Sequence, residues 1–215
     1  KMMSSTAHST APLLIDEPNL SVAWAKAALR VIDNPGTEIA PLILSISGFS
    51  PDGKPYEVAS VRQALDSLLV SEGHLDIEDV AFTIFPQRFW EMAGGDRAKL
   101  YTFYGYAFPR FKAMNPRHNS RGLYFERLIN YGRGKYGGNQ LEWILSQYNS
   151  RPGVRRSMFQ ASIFDPERDH TASALIEFPC MQHVSFEPTK TGLVINAFYA
   201  TQQLFIKGYG NYLGI

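Results

Sequence analysis

Cysteine is nearly missing: the 215 residues contain one, Cys180. A lone thiol rules out an intrachain disulfide, which makes the cytoplasm the expected compartment. Long apolar runs are missing as well. No stretch reaches the about 20 residues a membrane-spanning helix needs, and the polar start KMMSSTAHSTAP does not read as a signal peptide. Charge of one sign is also missing. With 21 Lys and Arg against 20 Asp and Glu, the whole chain carries no general attraction to nucleic acid or to a membrane. The Gly-rich YGRGKYGG lacks the GxxxxGK[ST] order, so it is not a phosphate loop, and no internal repeat or domain linker stands out.

What is there suits a globular domain: 45% of the residues are hydrophobic and 13% aromatic, and the length buries a sizeable core. From Asn19, LSVAWAKAALRVI puts Leu20, Trp24, Ala28 and Val31 on one helical face, with Asn19 or Ser21 as cap and Asp33-Asn34-Pro35-Gly36 as stop. IAPLILSISGF reads as a short buried strand and SPDGKPYE as a turn. VASVRQALDSLLV reads as a second helix, Val61, Leu65, Leu68 and Leu69 inward, Arg62 and Asp66 outward. DVAFTIFPQRFWEMAGGD is expected to pass from strand to helix at Pro86 and to stop at Gly94-Gly95.

Residues 96–114 carry Leu100, Phe103, Tyr104, Ala107, Phe108 and Phe111 at helical spacing, an aromatic stripe read as core, with Pro109 as a kink or end. PRHNSRG reads as loop, and NQLEWILSQYN as a helix with Leu141, Ile144, Leu145 and Tyr148 inward. In the last third VRRSMFQASIF alternates as a strand, DPERDH turns, and ALIEFPCMQHVSFE and GLVINAFYATQ pair through PTKTG. The expected class is α+β, a sheet built mainly from the C-terminal half with helices packed against it. Residues 1–12 are expected to be a mobile tail and 13–215 a single domain.

Three features carry chemistry. Cys180 reads either as a small buried hydrophobe or as a nucleophile. On a regular strand Gln182 and Val184 share its face while Met181 and His183 point away, which argues against a Cys180–His183 nucleophile–base pair. Arg155 and Arg156 read as two solvated or ion-paired side chains, or as a phosphate clamp suited to the guanidinium fork. Asn211, after Gly-Tyr-Gly, reads as a turn or cap residue, or as a carboxamide whose donor and acceptor match the N3–H and O4 edge of uracil.

The order of these features resembles thymidylate synthase and the related pyrimidine hydroxymethylases. Arg155-Arg156, a strand, Pro179-Cys180, a hairpin and a glycine-containing turn ending in Asn211 follow one another, with YGRGKYGGNQLEWIL and SRPGVRR upstream. The likeness covers roughly residues 131–215. It implies a thymidylate-synthase-like fold with one mixed β-sheet, and a homodimer whose arginines reach the partner's site. It also implies a reaction. Cys180 adds to C6 of a pyrimidine nucleotide, and C5 then takes a one-carbon unit from 5,10-methylenetetrahydrofolate, as methylation or hydroxymethylation, with no metal.

By the same resemblance Asn211 reads the base, Arg155 and Arg156 hold phosphate, and Thr201, Lys207, Tyr131 and Asn139 lie near the ligand. The departures are Ala200-Thr201 for the family's Arg-Ser, Gln203 for its folate-contacting aspartate, and Met181 for the histidine after the nucleophile. The family's C-terminal segment is not present in this chain, which stops four residues after Asn211. The alternative reading is a catalytically altered or inactive paralogue, a nucleotide-binding or scaffold dimer. A third is an unrelated cysteine enzyme, which needs a histidine beside Cys180.

Overall fold

The computed structural model describes residues 9–36, 38–119, 121–132, 138–150, 152–172 and 180–215. The expected strand through 174–179, Pro179 of the Pro-Cys pair, and most of the expected N-terminal tail lie outside them. The architecture is α+β, divided into two compact units: Lys1–Val80 with Gln203–Leu213, and Ala81–Gln202 with Gly214–Ile215.

The first unit opens with β1 (Ser9–Thr10) and β2 (Leu13–Glu17), then α1 (Leu20–Ile32), β3 (Glu38–Ile39) and β4 (Leu42–Ile46). β1 pairs with β3 and β2 with β4, both parallel, in one register from Ser9 opposite Glu38 to Glu17 opposite Ile46. Helix α1 crosses between them and starts where sequence placed it, because Asn19 Oδ1 accepts the Val22 N–H at 3.2 Å. Its buried face is Leu20, Ala23, Trp24, Ala27 and Ala28; the alanines let β2 and β4 approach, and Val31 is exposed instead. β4 is not the buried strand its LILSI run suggested. It alternates, with Ile43 53% exposed, since only one face of the ribbon is covered by α1.

α2 (Ala59–Ser71) buries Leu65 and Leu69, whereas Leu68 is exposed. Arg62 and Asp66, expected outward, are anchors: Arg62 pairs with Glu57 at 2.6 Å and with Glu78, and Asp66 accepts the Ile77 N–H at 2.8 Å. α3 (Ile77–Phe82) replaces the strand expected at DVAFTIF. The boundary between the units falls within it, after Val80.

The second unit continues with α4 (Gln87–Met92), stopped at Gly94 and Gly95 with φ of 62° and 79°, and α5 (Arg97–Met114), capped by Asp96 and passing through Pro109. α6 (Pro116–Asn119) is a short helix where a loop was expected, and α7 (Tyr124–Ile129) and α8 (Gln140–Ser150) follow. The aromatic stripe of α5 is core. Leu100 and Tyr104 are buried with Phe125, the Tyr104 and Phe125 rings meeting edge-on at 4.8 Å. On α8 Ile144 is buried, but Tyr148 is exposed and Gln147 buried in its place.

Residues 154–163 are not one strand. A 3-10 turn over Arg156–Met158 precedes β5 (Gln160–Ser162); of the expected alternation Phe159, Ala161 and Ile163 are buried in the core, and Val154 packs against it. α9 (Pro166–Asp169), capped by Asp165, leads towards β6 (Met181–Pro188) and β7 (Leu193–Tyr199), joined where Thr189 N–H bonds the Gly192 carbonyl. The sheet runs β5-β6-β7, antiparallel. Instead of one mixed sheet, the described residues form this antiparallel sheet and two parallel pairs.

The chain then returns to the first unit as a π-helical turn over Leu204–Gly208 and α10 (Tyr209–Gly214). Tyr209 is buried there, its hydroxyl 2.7 Å from Ser21 Oγ and donating to Glu57 Oε1 at 2.8 Å.

Candidate functional site around Cys180

Cys180 sits directly ahead of β6, half-buried. Its backbone is held on both sides. The N–H donates to the Tyr124 hydroxyl at 3.1 Å, and the carbonyl accepts from Ala200 N–H at 3.1 Å and from Gln182 Nε2 at 3.4 Å. Thr201, exposed at the end of the hairpin, donates its hydroxyl to Sγ at 3.9 Å. Burial first, and then the neighbouring Cys180, push the Tyr124 phenol up to about 12, so it stays a neutral phenol at physiological pH.

The strand that follows does not alternate regularly. A bulge between Met181 and His183 turns Met181 and Val184, three residues apart, into the core. His183 faces Gln160, its Nε2 2.7 Å from the amide oxygen. The His170 ring packs on Phe164 at 5.3 Å.

The other expected residues have partners or settings of their own. Tyr131 donates its hydroxyl to the Phe164 carbonyl at 2.7 Å, and burial raises its pKa. Asn139 starts α8, its Oδ1 accepting the Glu142 N–H at 2.9 Å. Gln140 beside it ties α8 to β5, donating to the Ser162 carbonyl and accepting the Ser162 N–H, both at 2.8 Å. Arg155 is exposed, and Arg156 is exposed and paired with Glu187. Arg155 immediately precedes the 3-10 turn that Arg156 opens, so neither arginine lies on a strand.

Asn211 and Lys207 belong to the first unit. Asn211 is inside α10 and 3% exposed, not in a turn or at a cap; Lys207 is exposed on the π-helical turn. Within the second unit the structure brings Cys180 and Thr201 together. It adds Tyr124, which sequence reasoning missed because a tyrosine inside the apolar run YFERLI looks like any core aromatic.

Among the described residues no group of three or more His, Cys, Asp or Glu is placed to hold a metal ion, and no helix is long and apolar enough to cross a membrane. Compared with known proteins, the chain matches no family model, no curated protein and no solved structure.

Proposed function

We propose that the protein transfers a one-carbon unit to C5 of a pyrimidine nucleotide through a Cys180 adduct. One observation carries the reading: the single thiol is part-exposed, on a backbone pinned by Tyr124 and Ala200, with the Thr201 hydroxyl at its sulfur. A nucleophile needs that combination of access and fixed position. In the proposed step the Cys180 thiolate bonds to C6 and the C5–C6 π pair moves to C5 as an enolate through C4=O. C5 then bonds to the electrophilic carbon and gives up its hydrogen as a proton; the amine that carried that carbon leaves with its bonding pair, and water (for hydroxymethylation) or a hydride donor (for methylation) adds to the resulting exocyclic methylene as the thiolate leaves C6.

The donor implied by resemblance, methylenetetrahydrofolate, supplies an electrophilic carbon when bound. Gln203, exposed where the family carries its folate-contacting aspartate, offers no carboxylate for it, so the donor rests on the resemblance alone. The homodimer belongs to the same proposal; exposed Arg155 and Arg156 are its reaching residues.

Release of tritium from 5-³H dUMP, dCMP, UMP and CMP tests the addition step. We expect release from at least one of them and a fall to background in Cys180→Ala; no release from any, with folded protein, sinks the reading. Ala200 and Gln203 favour the second reading, a nucleotide-binding paralogue without turnover. Its mark is calorimetric nucleotide binding unchanged by Cys180→Ala.

A further inference from the structure

The near-zero total charge conceals a division. The first unit holds 6 Lys and Arg against 11 Asp and Glu, and the second holds 15 against 9. Within the second, residues 97–135 carry nine basic residues and one acidic, Glu126, which is buried. Other carboxylates of that unit are engaged elsewhere: Asp169 with buried Arg127, Glu142 with Arg97, Glu187 with Arg156, Asp165 with Arg168.

The outer face of α5 shows what this leaves. Leu100, Tyr104, Phe108 and Phe111 hold the inner face against the aromatic cluster, which fixes the helix's rotation. Opposite them stand Lys99, Tyr106 and Arg110. At 3.6 residues per turn these three fall within about 40° of arc and along about 16 Å of axis. Lys99 and Arg110 are exposed and Tyr106 is 80% exposed. Lys99 has Asp96 only at 3.9 Å, and among the described residues no ion pair reaches Arg110.

A face kept merely for solubility needs no aromatic ring, and a surface for an acidic protein needs the cations but not a ring left open to stack. Cations in line with an exposed aromatic side chain suit single-stranded nucleic acid, where phosphates take the charges and a base stacks on the ring. We propose that the outer face of α5 binds single-stranded nucleic acid, with Lys99 and Arg110 on phosphates and Tyr106 under a base. The proposal is independent of the Cys180 reading.

Fluorescence anisotropy of the full chain with a 20-nucleotide oligothymidylate, against a 20-base-pair duplex, tests it. We expect tighter binding to the single strand, weakening about sevenfold between 50 and 200 mM salt, as two phosphate contacts on a single strand require. The double variant Lys99→Glu, Arg110→Glu should lose at least about tenfold, and Lys99→Gln, Arg110→Gln an intermediate amount, with unchanged circular dichroism. Tyr106→Ala should lose about fivefold or more on the single strand and nothing on the duplex.

Parent-like binding by the charge variants overturns the proposal. So does equal affinity for single strand and duplex with no effect of Tyr106→Ala, which would be plain polyanion adsorption. Sedimentation showing self-association abolished by the charge reversal, without oligonucleotide binding, would assign the strip to the acidic unit of a second copy and overturn it too. Tritium release in the charge variants is expected to equal the parent's, so the two proposals fail separately.

Discussion

Arg127 is wholly buried and all its nitrogens are used. Nε and Nη2 donate to the Arg121 carbonyl at 3.1 and 2.8 Å; Nη1 donates to the Ile163 carbonyl at 2.8 Å and to Asp169 Oδ2 at 2.6 Å; Nη2 also reaches Asp169 Oδ1 at 2.8 Å. Leaving one charge of such a pair buried without the other costs about 3–5 kcal/mol. Asp169→Ala should therefore lower the unfolding free energy by about that amount in a urea titration. Burial works against the Asp169 carboxylate, but the Arg127 hydrogen bond, the Asp165 N–H and the charges of Arg127 and Arg121 together outweigh it and hold the group below the usual carboxylate range. Its stabilisation is present above the ordinary value of about 3.9 and is lost as pH falls through the lowered one.

Glu126 has the opposite sign. Burial raises its pKa, with Arg168, Lys112 and Arg127 pulling the other way. Its contribution is full below about 4.3 and is lost as pH rises through the raised value. Relative to the parent, Glu126→Gln should thus gain stability from pH 4 to pH 7, read as a rising difference in denaturant midpoint.

Gly210 shows how an element can be legible for the wrong reason. Its place in Gly-Tyr-Gly suggested a turn, but it lies in α10, where an added Cβ would stand 2.6 Å from Val80 Cβ and 2.8 Å from the Ile77 carbonyl oxygen. Close helix approach, not backbone freedom, requires glycine there. Gly210→Ala should cost about 1–3 kcal/mol, measured as a drop in thermal midpoint with α10 retained by circular dichroism.

Elements with strong local signals were readable. α1 has Asn19 at one end and a Pro-Gly stop at the other, and β6 and β7 pair either side of a turn sequence. α3 was not readable, because IEDVAF is six residues long and ends in a run that also fits a strand. Nor was the 3-10 turn at Arg156, since alternation between Val154 and Ile163 says nothing about whether a partner strand lies alongside. At the candidate site Cys180 could be picked out by residue type and Thr201 through the resemblance, but the tie from Cys180 to Tyr124 spans 56 residues and leaves no local trace.

At the scale of the whole chain, no local sequence signal marks where one unit gives way to the other, although their charges differ: the breaks fall inside α3, between Gln202 and Gln203, and ahead of Gly214. The first unit closes over a long interval. Trp24 Nε1 donates to the Leu204 carbonyl at 3.0 Å across 180 residues, and the Trp24 ring meets Phe205 and Tyr209 at 5.9 and 5.8 Å. Closing so large a loop is slow relative to local pairing. Pulse-labelled hydrogen exchange during refolding should show amides of α5, α7 and α8 protected before those of α1; simultaneous protection would count against this order.

That closure also sets a schedule during synthesis. The segment that covers Leu20 and Trp24 follows Val80 by more than a hundred residues, which the ribosome needs roughly 6 to 25 s to add at about 5–20 residues per second. For that interval the apolar face of α1 emerges without its last neighbour, and nascent chains halted before Leu204 should be the ones that bind a trigger-type holding chaperone.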